Sequence, residues 1–168
     1  MYHHLVAKLL YLGKRTCPDI LLAVCFLTTR VSQPDVDDWK KLGRCLRYLE
    51  ETKKLYLTLE ADSLLNIKWW IDASFAVHND MKSHTGAAVS MGKGMIYAMS
   101  NKQQINTRSS TEAELVGVNN AIGMALWIRQ FMQEQGYNVT DNVIYQDNQS
   151  AMLLERYGRK SSGKNTPS

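Results

Sequence analysis

Between Asn66 and Ser74 the chain alternates strictly, with Ile67, Trp69 and Ile71 in one set and Lys68, Trp70 and Asp72 in the other. A pleated backbone sends successive side chains to opposite faces, so this run buries its aliphatic set only as a strand. The run ends in a carboxylate, and Asp72 is therefore held on rigid backbone. Around this strand the hydrophobic period changes twice, and those changes set out the expected architecture.

Upstream the period is helical. Residues 2–12 carry Leu5, Leu9, Leu10 and Leu12 and meet Gly13 and the basic pair Lys14-Arg15, which predicts a helix ending there. Thr16-Cys17-Pro18-Asp19 opens a second helix, with Pro18 in its first turn and the apolar run 20–27 buried on most sides. A third starts near Pro34-Asp35, where Val36, Trp39, Leu42, Leu46 and Leu49 recur every three or four residues.

From Lys54 the period is two, because Leu55, Leu57 and Leu59 alternate with Tyr56 and Thr58, which predicts a strand. After the strand that ends at Asp72 come a polar turn around Asn79-Asp80 and strands over 86–91 and 95–99, joined by hairpin chemistry in Gly92-Lys93-Gly94. A long helical pattern then reaches Gln135 and closes on Gly136, with Leu115, Val118, Ile122, Ala125 and Leu126 expected to face the sheet. Gly123 inside it leaves one kinked helix or two shorter ones open. A short strand over 143–147 ends in Asp147, and residues 148–157 continue as helix. The stretch 158–168 has no apolar residue and is expected to be disordered. The sum is an α/β chain: a small helical segment over 1–53, then a domain over 54–157 whose sheet mixes antiparallel hairpin strands with a parallel strand and has flanking helices.

With 45% apolar residues a packed core is expected. The sequence has neither a run long enough to span a membrane nor an N-terminal signal-peptide pattern, so a soluble chain is expected, intracellular (cytoplasm, virus-like particle or nucleus) and not secreted. Cys17, Cys25 and Cys45 are odd in number and lie in helical patterns, which points to buried free thiols rather than disulfides or a zinc site. Net charge is only +4, but residues 1–55 hold ten basic side chains against six acidic ones. That bias predicts a nucleic-acid surface carried by Lys40, Lys41, Arg44 and Arg47; a solvated helix face is the alternative.

Three acids stand out, each with an ordinary explanation of its own. Asp72 follows a strand and Asp147 precedes a helix, positions where an acid often caps or turns the chain. In Ser109-Ser110-Thr111-Glu112-Ala113-Glu114, both Ser109-x-x-Glu112 and Thr111-x-x-Glu114 have capping-box spacing. Taken together, a shared sheet edge brings Asp72, Glu114 and Asp147 within reach of one cation site. Clustered carboxylates raise one another's pKa, and hard divalent ions with oxygen ligands relieve that repulsion.

Six stretches then fall into a recognisable order: Thr16-Cys17-Pro18-Asp19-Ile20, Cys45-Leu46-Arg47-Tyr48-Leu49, Trp70-Ile71-Asp72-Ala73-Ser74, Lys82-Ser83-His84-Thr85-Gly86, Ser109-Ser110-Thr111-Glu112-Ala113-Glu114 and Tyr145-Gln146-Asp147-Asn148-Gln149-Ser150-Ala151. In these the chain resembles the ribonuclease H region of copia-type (Ty1/copia) retrotransposon polyproteins, with the tail of the preceding reverse transcriptase. The resemblance implies a ribonuclease H-like fold, two Mg²⁺ or Mn²⁺ ions, and hydrolysis of the RNA strand of an RNA/DNA hybrid. It implies Asp72, Glu114 and Asp147 as catalytic metal ligands, with Glu112 as the capping partner. Asn148 and Gln149 match polar positions near the substrate backbone, and Ser83 and His84 a structural turn. The remainder of a reverse transcriptase polyprotein is the implied protein partner.

The pattern also departs from the family. Beyond a basic stretch matching Ser161-Ser162-Gly163-Lys164, the family has a fourth metal-site acid and a last helix that these 168 residues do not include. Glu155, the only acid after Asp147, does not match that position. Weak metal binding and a reduced rate are therefore expected of a C-terminally truncated domain. The alternative is an inactive remnant that binds nucleic acid or serves as an interaction domain. No Tyr-x-Asp-Asp polymerase signature is present, and polymerisation is not expected.

Overall fold

The computed structural model describes residues 1–158. Apart from Gly158, the expected disordered tail and its Ser161-Ser162-Gly163-Lys164 stretch lie outside the described residues.

Helix α1 (Tyr2–Arg15), a single 3₁₀ turn (Pro18–Ile20), α2 (Leu21–Thr28) and α3 (Val36–Thr52) pack around Val6, Leu9, Val24, Leu27 and Leu42. Helix α1 ends at Arg15, within the expected Lys14-Arg15 pair, and runs on through Gly13. A Cβ there would lie 3.4 Å from Leu21 Cδ1, so this glycine serves close packing inside the helix. Of the stripe expected on α3, Leu42 enters the core and Leu49 packs against it, whereas Val36 and Leu46 stay exposed. The three cysteines are free, Cys45 buried and the other two half-buried.

The start of α3 is fixed by a reciprocal cap. The Asp38 N–H donates to Asp35 Oδ1 at 2.8 Å, and the Asp35 N–H donates to Asp38 Oδ2 at 3.1 Å. Asp38 is buried and takes a further bond from Arg30 Nε at 3.2 Å. Replacing Asp35 with Ala is expected to lower stability by about 1 kcal/mol, the ordinary worth of an N-cap, read as a fall in the urea midpoint at pH 7.

The sheet holds four strands in the order β5-β3-β2-β6: β2 (Asn66–Ser74), β3 (His84–Ser90), β5 (Tyr97–Lys102) and β6 (Asp141–Tyr145). Strands β2, β3 and β5 are antiparallel neighbours, and β6 lies parallel to β2 with Trp70 opposite Tyr145. The α/β class and mixed sheet read from the sequence are those observed. Strand β2 alternates as its sequence requires: Ile67, Trp69 and Ile71 are buried, and Trp70 and Asp72 are exposed on the other face.

The buried face is covered by α4 (Ser110–Glu134), one continuous helix through Gly123 that ends before Gly136, whose φ is +88°. Its contact face differs from the expected one. Val118 and Ala125 are buried as expected, but Ile122 and Leu126 are exposed and Leu115 is half-buried. Besides Val118 and Ala125, the contact is made by the small residues Ala113, Gly117 and Ala121, with Met124, Ile128 and Met132 packed beside them. A Cβ on Gly117 would stand 3.5 Å from Ala73 Cβ and from Thr85 Cγ2, so small side chains let the helix lie close on β2 and β3.

The strand expected over 54–59 does not form. Leu55, Leu57 and Leu59 are exposed, and the segment pairs only at β1 (Glu60–Ala61) with β4 (Gly92–Lys93) in the hairpin connection. Alternation supplied the pattern, but Leu57 and Leu59 only line a hollow beside the edge strand β5 and do not pair with it. Helix α2 packs against β5, and helix α5 (Gln149–Tyr157) follows β6. Among the described residues no helix is long and apolar enough to cross a membrane.

Candidate metal centre

Asp72, Glu114 and Asp147 come together at one end of the sheet, each offering a carboxylate oxygen within 4.8 Å of the others. The parity of the strands explains their approach. On β2 the side chain of Asp72 leaves on the open face with Trp70, and beyond β6 that of Asp147 does the same with Tyr145. Glu114, in the first turns of α4, reaches the same point from the covered face. Asp72 and Asp147 are exposed; Glu114 is only 5% exposed.

The capping alternatives are settled by the hydrogen bonds. Ser109 Oγ accepts from the Glu112 N–H at 3.1 Å, and Glu112 Oε2 accepts from the Arg108 N–H at 2.6 Å. Ser109 and Glu112 therefore cap α4 between them, and Glu114 is left for the cluster. Helix α5 is capped by Asn148, whose Oδ1 accepts from the Ala151 N–H at 3.0 Å, and not by Asp147. Asp72 lies inside β2, which continues to Ser74.

Burial pushes the Glu114 carboxyl above its usual range, and the nearby charges of Asp72 and Asp147 push the same way. The Ala73 backbone and the Gln146 amide oppose them by hydrogen bonding. Glu114 Oε2 is nonetheless buried without a well-formed partner. A buried carboxylate oxygen with an open lone pair, facing two further carboxylates, is costly unless a cation completes it. The donor set is all oxygen, which suits a hard ion such as Mg²⁺ or Mn²⁺. The three residues thus fit the ions implied by the resemblance.

Two supporting features had no motif to announce them. Gln103, 1% exposed, donates from Nε2 to Thr85 Oγ1 and to the Ala113 carbonyl, both at 2.9 Å. Since Thr85 stands opposite Ala73, the residue after Asp72, this one amide ties the strands beside Asp72 to Ala113, the chain neighbour of Glu114. On the open face, Trp70 and Tyr145 stack with ring centroids 5.3 Å apart and planes 18° apart. They line a cavity of about 460 Å³ with Leu21, Leu22, Asp72 and Asp147.

The basic residues expected to meet nucleic acid all lie on α3. Lys40, Arg44 and Arg47 are exposed and form no ion pair among the described residues, while Lys41 pairs with Asp37 at 3.0 Å and sits over the Phe26 ring. The surface between them and the acids is continuous. Lys41 and Arg44 line a hollow with Ala23, Lys41 lines the next with Leu22 and Ser74, and Leu22 lines the cavity at Asp72 and Asp147. Gln149 is exposed at the start of α5.

No family model matches the chain. It is similar to the retrovirus-related Pol polyprotein from transposon TNT 1-94 of Nicotiana tabacum, 31% identical over 156 residues, covering 92% of this chain and 12% of that protein. It is similar to the corresponding Pol polyprotein from transposon RE2 of Arabidopsis thaliana, 36% identical over 155 residues, covering 91% of this chain and 11% of that one. A third relative is secreted RxLR effector protein 161 of Plasmopara viticola, 30% identical over 128 residues, which cover 76% of this chain and 90% of that protein. The chain thus spans about a tenth of the length of the two polyproteins it matches.

Proposed function

The chain belongs to the copia-type retrotransposon Pol polyproteins, and on that premise we propose that residues 54–157 are a ribonuclease H-like domain hydrolysing the RNA strand of RNA/DNA hybrids. Residues 1–53 are then the tail of the reverse transcriptase that precedes it. The observation that carries this reading is the convergence of Asp72, Glu114 and Asp147 within 4.8 Å, with Glu114 buried and incompletely bonded. Asp72 and Asp147 would hold divalent ions from the exposed side and Glu114 from beneath. Bound there, such ions would activate a water and stabilise the charge on the leaving oxygen of an in-line displacement.

Incubating the protein with a hybrid labelled on its RNA strand tests the reading. Cuts in the RNA that require Mg²⁺ or Mn²⁺ and stop with chelator are expected, with double-stranded DNA left whole. An intact hybrid at all metal concentrations refutes the enzyme.

The continuous surface from the acids to α3 favours a role for the helical segment in holding the substrate. A phosphate backbone crossing Asp72 runs past Leu22 to Lys41 and Arg44, with Lys40 and Arg47 flanking Arg44 on its outer stripe. Reversing charge with Arg44→Glu and Arg47→Glu is expected to weaken hybrid binding by about tenfold at low salt. It is also expected to lower the dependence of log affinity on log salt by about one for each phosphate that α3 no longer neutralises. Fluorescence anisotropy in metal-free buffer measures both. Unchanged affinity and slope remove α3 from the interface, whatever the cleavage assay shows.

A further inference from the structure

We propose that the outer edge of β5 is a strand-accepting groove whose occupant is the chain's own segment 55–59, which docks there as a fifth strand of the four-stranded sheet.

The sheet ends at β5, whose one neighbour is β3. A strand in that position presents a row of backbone N–H and C=O groups to whatever lies alongside, and proteins ordinarily cover or blunt such an edge. Here a hollow of about 430 Å³ runs along residues 95–101, and Leu57 and Leu59 form part of its far wall. Pro18, Leu21 and Cys25 of the helical segment complete it.

The segment beside the hollow has the pattern of a strand and no ladder. Leu55, Leu57 and Leu59 alternate with Tyr56 and Thr58, and the three leucines and Tyr56 are exposed, Leu55 at 74% and Tyr56 at 90%. Leu55 and Leu57 also line the next hollow, again with Pro18. As a strand, the segment puts all three leucines on one face, toward Pro18 and Leu21, and Tyr56 and Thr58 on the other.

The pairing has already begun at one end. Strands β1 and β4 run antiparallel with Glu60 opposite Lys93 and Ala61 opposite Gly92, and that register carried back along the chain leads 55–58 toward 95–99. The two backbones touch where the ladder stops, since a Cβ on Gly94 would overlap the Thr58 carbonyl oxygen. Gly94 has φ +74°, the left-handed conformation of a glycine bulge, in which two residues oppose one before pairing resumes. A strand from another molecule competes for the same edge without a tether. Residues 55–59 are held beside it by the β1–β4 pairing, at high local concentration.

Hydrogen exchange on the full chain, free of metal and over a range of protein concentration, tests the proposal. Amides of 55–59 are expected to exchange at least about tenfold more slowly than an unstructured chain, equally at every concentration. Leu57→Asp with Leu59→Asp puts charge on the face to be buried, at side chains that lie outside the core. It is expected to return 55–59 to unstructured rates and to speed exchange in 97–101 severalfold, with the amides of β2 and α4 unchanged. Unstructured rates at 55–59 in the wild type overturn the proposal. Slow exchange that survives the double substitution, or that is lost with no change in 97–101, has its cause outside the β5 edge and overturns it too. Protection that rises with protein concentration gives the edge to a second copy and overturns the docking of this segment. If β2 and α4 also lose protection, Thr58→Val decides, because it favours a strand without touching the leucine face. Slower exchange at 55–59 in that variant upholds the proposal, and unchanged exchange overturns it.

Discussion

Asp72→Asn is expected to abolish metal-dependent cleavage of the hybrid and, in the same protein freed of metal, to raise its stability. On the proposed function, the first effect follows from removing a carboxylate that would face both the ions and the substrate. Metal-supplied charge stabilisation amounts to several kcal/mol of barrier, so a fall in rate of at least about a thousandfold is expected. The second effect has the opposite sign because the metal-free cluster is self-repelling. Glu114 is held above its ordinary pKa first by burial and then by the charges of Asp72 and Asp147. Between that ordinary value and the raised one, the folded protein keeps a proton that the unfolded chain has released. The cluster therefore costs stability that grows as pH rises through the window and is fully present above it. Neutralising Asp72 removes part of that cost. Solvent at the exposed Asp72 screens most of the direct repulsion, leaving a gain on the order of 1 kcal/mol. Urea denaturation in chelator at pH 7.5 measures it. Saturating Mg²⁺ is expected to stabilise the wild type by mass action and the variant far less. A variant less stable than the wild type in chelator contradicts the electrostatic account, because it gives Asp72 a structural role.

The divergence of activity and stability at Asp72 also shows which parts of the site were legible in the sequence. The strict alternation from Ile67 to Asp72 gave the strand, its buried face and the face of its acid, because a two-residue period has only one geometric solution. The glycines of 92–94 gave the hairpin in the same way. The three acids each carried an innocent local reading; the resemblance already set Glu114 apart from the capping partner Glu112, and the hydrogen bonds agree, with Glu112 capping α4. What failed were judgements that depend on a partner surface. Residues 54–59 alternate, but they stay unpaired beside the edge of β5. Of the residues expected to turn from α4 to the sheet, Val118 and Ala125 do, yet close packing of Ala73 and Thr85 on Gly117 favours small side chains there and leaves Ile122 and Leu126 outside. Gln103 has no periodic or motif signal at all, since its importance lies in two acceptors contributed by β3 and α4.

The second large effect concerns the seam between the helical segment and the sheet, where acidification from pH 7 toward pH 4 is expected to cost about 3 kcal/mol of stability. His84 is 5% exposed and shares its Nδ1 with Nε2 of the buried His78 at 3.0 Å, while its Nε2 meets Ser100 Oγ of β5 at 2.7 Å. Phe26 of α2 stacks on His78 with centroids 5.8 Å apart. Two imidazoles at that separation share one proton between the facing nitrogens, and charging both rings would place like charges in contact inside the protein. Burial, and then the neighbouring His78, lower the His84 pKa from 6.5 to about 4. His78 is lowered too, by burial and by Lys102, with Asp80 pulling the other way. As pH falls below 6.5 the unfolded chain takes up protons that the folded protein refuses, so stability is complete above 6.5 and is lost down to the folded value near 4. At about 1.4 kcal/mol for each pH unit of that gap, His84 alone accounts for the expected loss. The caps at Asp35 and the Lys102 pair at Asp80 hold their carboxyls below 3.8, so their losses come at still lower pH. Glu114 titrates with the opposite sign, and the measurement therefore belongs in the Glu114→Gln background. Urea midpoints between about pH 7.5 and 4.5 are expected to slope steeply there and to flatten when His84→Gln is added. If the slope survives that substitution, the pair is not its source. If it vanishes, acid loosens the protein first where Phe26 and Ser100 close on the two rings, and α2 is expected to lose hydrogen-exchange protection before the strands that carry the acids.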